Sequence, residues 1–355
     1  MTGQPIILAA GGTGGHLYPA EALAQELLNR RHAVIIITDK RGSAFQKLGG
    51  KVQIDCVRAA TFRPGILSKI KAVFDICAGI FRAAKLLKKY QPALVVGFGG
   101  YPSFPTVFAA QRLGIPTILH EQNAVLGKAN LWLAKDAEVI AASLPLARDK
   151  VVVTGNPVRA GICAVRNHPY PPLGGTLEIF ITGGSQAAKI FSEVVPDAVR
   201  QLPEEIKQRL HVVHQCREDD IIATADKYRA AGVKAEIKSF FNDMPERLSA
   251  CHLFIGRSGA STVAEIAVVG RPAIFVPYPG HADQQQKHNA ELIAQKDGAW
   301  IIPQENFTAE ALARQIEHLA KNPALLESAA AAAKSCGQPE AVKNLANLVE
   351  REISG

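Results

Sequence analysis

Short runs of apolar, largely β-branched residues alternate with longer helical stretches along this chain, and the alternation restarts once. In the first half, residues 6–10, 33–38, 93–97, 117–119, 138–141 and 151–153 read as strands. Residues 19–31 have helical spacing, with Ala22, Leu23, Leu27 and Leu28 on one face. A strand without polar side chains has to be covered on both faces, as in a parallel sheet layered between helices. Alternating strand and helix therefore predicts a doubly wound α/β fold.

Residues 163–175 hold three prolines and two glycines without an apolar period, so they read as a linker. Beyond it the pattern resumes, with strands at 177–182, 211–214, 235–239, 253–255, 273–276 and 299–302. The expected organisation is a first α/β domain over 1–162, the linker 163–175, and a second over 176–338. A terminal helix over 339–355, its core about 339–353, is expected to pack back on the first domain. Two such domains facing each other make a cleft, and open α/β sheets bind ligands beyond the carboxyl ends of their strands.

Net charge is +8, but residues 1–159 carry +11 and residues 160–355 carry −3. Phosphate, nucleic acid or membrane is the expected partner class of the first half alone. Six scattered cysteines form no CxxC pair, which argues against a zinc knuckle or redox motif and suits reduced thiols in a cytosolic protein. No basic leader precedes a signal-length apolar run, and no stretch approaches the ~20 apolar residues of a membrane span. Contact with a membrane is expected without crossing it.

Polar, glycine-rich clusters fall at the carboxyl ends of the expected strands. GGTGGH (11–16) follows the first strand; its glycines allow a sharp turn and close backbone approach, and the helix start beyond it can hold an anion. Counted from Gly12, a dinucleotide fingerprint would need glycine where Leu17 stands, although Asp39 could mimic its ribose-binding acid. GFGGYPSFP (97–105), HEQN (120–123) and GNPVR (155–159) follow later strands. Each alone could be ordinary loop chemistry, Asn156-Pro157 a turn and His120 a satisfied core histidine. Four on one rim point to a ligand crevice.

The second half opens with ITGGSQAAK (181–189), suited to a phosphate but lacking the Walker ending. In RSGASTVAEIAVVGRP (257–272) a helix begins near Ser261, and Glu265 falls about one turn in, facing the crevice. A carboxylate there can accept hydrogen bonds from vicinal ribose hydroxyls; its plain alternative is helix N-terminal charge. HADQQQKHN (281–289) offers glutamines suited to sugar hydroxyls, or a solvated helix start. His281 and Asp283 lack a third ligand at metal spacing, and no Asp-x-Asp is present, so neither metal nor cofactor is expected. Were a diphosphate to leave here, backbone dipoles and cations would have to neutralise it.

Taken in order over nearly the whole chain, GGTGGH, GGY (99–101), HEQN, GNPVR, GGSQ (183–186), RSGA-S-TVAE (257–265) and DQQ resemble the MurG family. These are inverting peptidoglycan N-acetylglucosaminyltransferases of the GT-B fold, two Rossmann-like doubly wound α/β domains facing across a cleft. The resemblance implies UDP-N-acetylglucosamine as donor. It implies undecaprenyl-diphosphate-linked N-acetylmuramoyl-pentapeptide as acceptor. It places Glu265 at the ribose, the Ser185 loop at the diphosphate and the Phe241 backbone beside the uracil. Ala260, Ser261, Thr262, Val263, Ala264 and Glu265 would wrap the nucleotide. Gln285 or its neighbour Gln286 would read the sugar. Thr13, Gly14, Gly15, Tyr101, Asn123 and Arg159 would complete the donor and acceptor sites. The sequence departs from the family at Ala187, where glycine is frequent, at Cys216-Arg217 and at Phe104.

The acceptor hydroxyl must lose a proton as it attacks the anomeric carbon, and a histidine can take it. His16, at the tip of the first glycine-rich loop, is the candidate base. Residues 61–90 carry seven Lys and Arg (63, 69, 71, 82, 85, 88, 89) against one acid, Asp75, interleaved with Ile66, Leu67, Ile70, Val73, Phe74, Ile76, Ile80 and Phe81. Such a stretch suits an anionic membrane surface, although part of its apolar face must cover the sheet. A peripheral enzyme at the cytoplasmic face of the plasma membrane, without nucleic acid, is the expectation. The rivals are another UDP-sugar enzyme of the same fold (a 2-epimerase or lipid glucosyltransferase), a nicotinamide oxidoreductase, and a non-catalytic nucleotide-sugar-binding module.

Overall fold

The computed structural model describes residues 3–12, 14–39, 45, 48, 50–61, 64–184, 187–280 and 283–354. They form two compact units, residues 1–159 with 339–355, and residues 160–338.

The first unit runs β1 (Ile6–Ala9), α1 (Gly14–Asn29), β2 (Val34–Thr38), β3 (Gln53–Cys56), α2 (Ile66–Tyr90) and β4 (Leu94–Gly97). It continues through α3 (Gly100–Arg112), β5 (Thr117–Glu121), α4 (Lys128–Leu133), β6 (Val139–Ala142) and β7 (Val151–Val153). The second unit holds α5 (Ala160–Ala164), β8 (Leu177–Thr182), α6 (Lys189–Arg200), α7 (Glu204–Lys207), β9 (Leu210–Gln215), α8 (Ile221–Ala230) and β10 (Lys234–Lys238). After these come α9 (Met244–Ala250), β11 (Leu253–Gly256), α10 (Ala260–Val269), β12 (Ala273–Phe275), α11 (Gln285–Ala294), β13 (Ala299–Ile301), α12 (Ala309–Lys321) and α13 (Pro323–Ser335). The chain then returns to the first unit as α14 (Ala341–Ser354).

Both sheets are parallel among the described residues, ordered β3-β2-β1-β4-β5-β6-β7 and β10-β9-β8-β11-β12-β13. In each, the order reverses beside the first strand, between β1 and β4 and between β8 and β11. The carboxyl ends at such a reversal diverge and leave a crevice.

Alternation along β1 divides the first unit's core in two. Ile6 and Leu8 pack with Leu23 and Leu27 of α1 and with Leu345, Leu348 and Val349 of α14. Ile7 and Ala9 face the other side, with Ala83 and Leu87 of α2 and Val107 of α3. Successive strand residues point to opposite faces, so an all-apolar strand supplies both layers. Hydrogen bonds from Arg30 and His32 to Glu350, at 2.7 and 2.8 Å, hold α14 against the end of α1.

Three local readings change. The helix after the first glycine-rich turn begins at Gly14, not at residue 19, and includes Pro19. Gly14, Gly15 and His16 therefore form its first turn rather than a loop tip. β3 went unread because it is a short edge strand with the sequence QIDC and no buried residue. Residues 163–175 are carried by the second unit: Arg166 donates to the carbonyls of Val268 and Lys334, and Tyr170 to that of His252.

Candidate active site

In the first unit, the turn after β1 and the start of α3 after β4 stand at the sheet's reversal point. Gly12 has φ +89° and Gly100 φ +70°, conformations that disfavour a side chain. A Cβ on Gly11 would come within 2.6 Å of Pro102, so the two turns touch. Gly14, Gly15 and His16 are half-buried in the first turn of α1, whose N–H groups have no intrahelical acceptor. A Cβ on Gly14 would stand 2.8 Å from the Tyr18 ring, over which the Arg159 guanidinium lies at 4.5 Å. Tyr101 is half-buried at the start of α3.

Nδ1 of His16 lies 2.8 Å from the Phe98 carbonyl and 3.2 Å from Oε1 of Gln122. A carbonyl only accepts, so Nδ1 carries the proton and Nε2 keeps its lone pair. Nε2 makes no hydrogen bond to a described residue. The ring's Nε2 is thus left as a hydrogen-bond acceptor.

Glu121, buried at the end of β5, organises the next segment. Its Oε1 accepts from the backbone and side chain of Asn123, both at 3.1 Å, and its Oε2 from the Gly127 N–H and Asn130 Nδ2, both at 2.9 Å. Four donors satisfy a carboxylate that would otherwise be costly to bury. They fix the backbone at Asn123, which remains half-buried. His120 is fully buried against the Phe98 ring, and desolvation lowers its pKa to about 4. In the GNPVR segment both polar side-chain atoms of Asn156 are buried without a hydrogen-bond partner among the described residues.

The second unit repeats the plan. After β8, Gly183 packs so close to Ala188 that a Cβ would approach its nitrogen to 2.2 Å, while Gly184 and Ala187 have φ +82° and +52°. After β11, α10 begins at Ala260 with Gly259 before it. Ala260, Ser261, Thr262 and Ala264 are half-exposed, and Val263 and Glu265 are buried. Buried Arg257 braces this end of the sheet, donating to the carbonyls of Val276 and Pro277 at 2.9 and 3.1 Å. Phe241 is a core residue, with its ring edge-on to Phe180 and 5.1 Å from the Arg247 guanidinium, which leaves its backbone for a ligand. The three glutamines are unlike one another. Gln284 precedes α11 with φ +48°, Gln285 donates to Asp283 at 2.8 Å, and Gln286 accepts from the Tyr278 N–H at 2.9 Å.

Gly14, Gly15, His16 and Tyr101 thus stand at the first unit's sheet reversal and Ala260–Glu265 beside the second's, whereas Asn123 follows β5, Arg159 follows β7, Phe241 follows β10 and Gln285 and Gln286 open α11; Thr13 and Ser185 lie outside the described residues. The reading of the motifs gave Gln122 no role, though it stands inside HEQN.

Residues 6–142 match the glycosyltransferase family 28 N-terminal domain, and residues 178–347 the family 28 C-terminal domain. A UDP-N-acetylglucosamine–N-acetylmuramyl-(pentapeptide) pyrophosphoryl-undecaprenol N-acetylglucosamine transferase of Rhodospirillum centenum is 51% identical, over 98% of this chain and 94% of its own length. A relative of the same name from Erythrobacter litoralis is 45% identical over 99% and 91%. The crystal structure of Acinetobacter baumannii MurG matches with a TM-score of 0.80 and 32% identity, covering 98% of this chain and all of that one. Sequence, domain content and fold agree over the full length, and this chain belongs to the MurG family of N-acetylglucosamine transferases.

Proposed function

We propose that this protein transfers N-acetylglucosamine from UDP-N-acetylglucosamine to undecaprenyl-diphosphate-linked N-acetylmuramoyl-pentapeptide, with inversion at the anomeric carbon. The observation that carries the chemistry is His16, whose Nδ1 is committed to the Phe98 carbonyl and whose Nε2 is left as acceptor. The acceptor hydroxyl attacks the anomeric carbon, its proton passes to Nε2, and the bond to UDP breaks. Charge on the departing diphosphate is met by backbone N–H groups of the Ser185 loop, and Arg159 helps to complete the donor and acceptor contacts. Glu265 takes the ribose hydroxyls. Ala260–Ala264 wrap the nucleotide, and Gln285, with Gln286 beside it, reads the sugar. Thr13, Gly14, Gly15, Tyr101 and Asn123 complete the donor and acceptor contacts.

The acceptor named for the relatives ends in a polyprenyl chain, which holds it in a bilayer. We infer that α2 brings the enzyme there. Ala72, Gly79, Ala83, Leu86 and Leu87 bury the helix against its own unit, while Ile66, Leu67, Ile70, Phe74 and Phe81 stay exposed among Lys69, Lys71 and Lys85. Leu67 is 83% and Phe81 65% exposed, more than a domain-covering helix needs. No helix among the described residues is long and apolar enough to cross a membrane.

Ligand-dependent melting tests the donor: UDP and UDP-N-acetylglucosamine should stabilise by about 2.7 kcal/mol at 100 times their Kd, and NAD should not. Stabilisation by NAD alone would return the oxidoreductase reading. His16→Ala should lower turnover by roughly 10²–10⁴ if Nε2 is the base, and a loss under about tenfold removes it from that role.

A further inference from the structure

A chain of hydrogen bonds links the GNPVR segment to His16. The Gly155 carbonyl lies 3.3 Å from Nε2 of His120. That oxygen can only accept, so Nε2 carries the proton of a neutral ring and Nδ1 carries the lone pair. Burial keeps His120 neutral by lowering its pKa to about 4, with the Gly155 bond opposing and nearby His16 adding a smaller lowering. Nδ1 of His120 then accepts from Nε2 of Gln122 at 3.0 Å, and the same nitrogen donates to the Phe98 carbonyl at 2.8 Å. With its nitrogen committed twice, the amide must turn Oε1 towards His16, whose Nδ1 stands 3.2 Å away. The flipped amide would set NH2 against the Nδ1–H of His16 and oxygen against the Phe98 carbonyl, both repulsive. Gly100 leaves room for the ring: a Cβ there would lie 3.1 Å from both Cδ2 and Nε2 of His16.

We propose that His120 and Gln122 are positioning residues for His16, acting in series to hold the tautomer with its proton on Nδ1 and to cradle the charge that forms when Nε2 is protonated. This rests on His16 being the base. Phe98 and Gln122 give Nδ1–H two acceptors, which strengthen as the ring becomes an imidazolium. His120 touches neither substrate nor base. Its contribution is to make one amide orientation the only consistent one, and its own tautomer is fixed by Gly155.

The test combines nitrogen-15 NMR of histidine-labelled, full-length protein with steady-state kinetics. In the unaltered protein His16 should be protonated at Nδ1 and His120 at Nε2. Gln122→Met and His120→Leu should raise the Nε2–H population of His16. They should also lower kcat by about 10–100-fold, as loss of an orienting partner does, with KM for UDP-N-acetylglucosamine within about twofold. His120→Asn, whose side-chain oxygen can stand where Nδ1 stood, should restore most of the turnover. Three results would each overturn the proposal: His16 protonated at Nε2 in the unaltered protein, Gln122→Met within about twofold of normal kcat, or His120→Asn no better than His120→Leu. Should His120→Leu not fold, the native tautomers and Gln122→Met still decide. An inactive His16→Ala beside a fully active Gln122→Met fails the positioning role alone, whereas an active His16→Ala fails the base assignment and this proposal together.

Discussion

Ala187 holds a backbone conformation that its Cβ disfavours. Its φ of +52° lies in the left-handed region, in the turn after β8, and so has a conformational cost. Left-handed backbone costs a residue with a Cβ about 1–2 kcal/mol, part of which glycine loses again to chain entropy. Ala187→Gly should therefore stabilise the second unit by roughly 0.5–1 kcal/mol, read as a higher urea midpoint with unchanged slope. Glu265 allows a complementary test. Glu265→Ala should weaken UDP binding by about 1.5–3 kcal/mol, the range for hydrogen bonds to a charged group. Unchanged UDP affinity by calorimetry removes Glu265 from the site.

Among the elements, α2 does two jobs with one sequence. Its small residues allow close packing: a Cβ on Gly79 would lie 2.0 Å from the Arg58 carbonyl. Its large apolar residues, above all near the N-terminal end, face solvent instead. Composition alone cannot say which apolar residues take which job, because Ile, Leu and Phe run throughout the 25-residue helix. If the exposed face meets anionic lipid, each basic residue near the surface adds about 1 kcal/mol. Changing Lys69, Lys71 and Lys85 to Glu should release the protein from phosphatidylglycerol vesicles and depress activity on bilayer-embedded acceptor, while activity on a short-chain soluble acceptor survives. Unchanged sedimentation with vesicles sinks the surface and leaves the transferase standing.

For the molecule as a whole, buried neutral histidines tie stability to pH. Burial lowers His120 in the first unit to about 4 and His214 in the second to about 3. The unfolded chain protonates these rings near pH 6.5, and the folded units do not until much lower pH. Between those values the unfolded state binds more protons, so stability falls as pH drops from about 6.5. The loss approaches about 1.4 kcal/mol per unit for each fully titrating histidine. Both units should melt progressively lower from pH 6.5 to 4. In His214→Phe the second unit's dependence should flatten; an unchanged pH slope would place the acid sensitivity elsewhere.

The two-layer winding was legible in the chain because strands buried on both faces leave uninterrupted apolar runs, and the glycine-rich motifs were legible because only certain residues tolerate those turns. β3 was not legible: an edge strand pairs on one side, and its four residues need no apolar pattern. Nor was the start of α1, where local preference for a glycine turn yields to helix geometry and the packing of Leu17 and Ala20 beneath it. The deepest gap concerns the site's wiring. His16 and Gln122 stand 106 positions apart and His120 and Gly155 35 apart, so no spacing rule connects them. Residue identity set which groups can donate and accept. Long-range packing, by bringing the carboxyl ends of β1, β4 and β5 together, set which nitrogen of His16 is held by hydrogen bonds and which is not among the described residues.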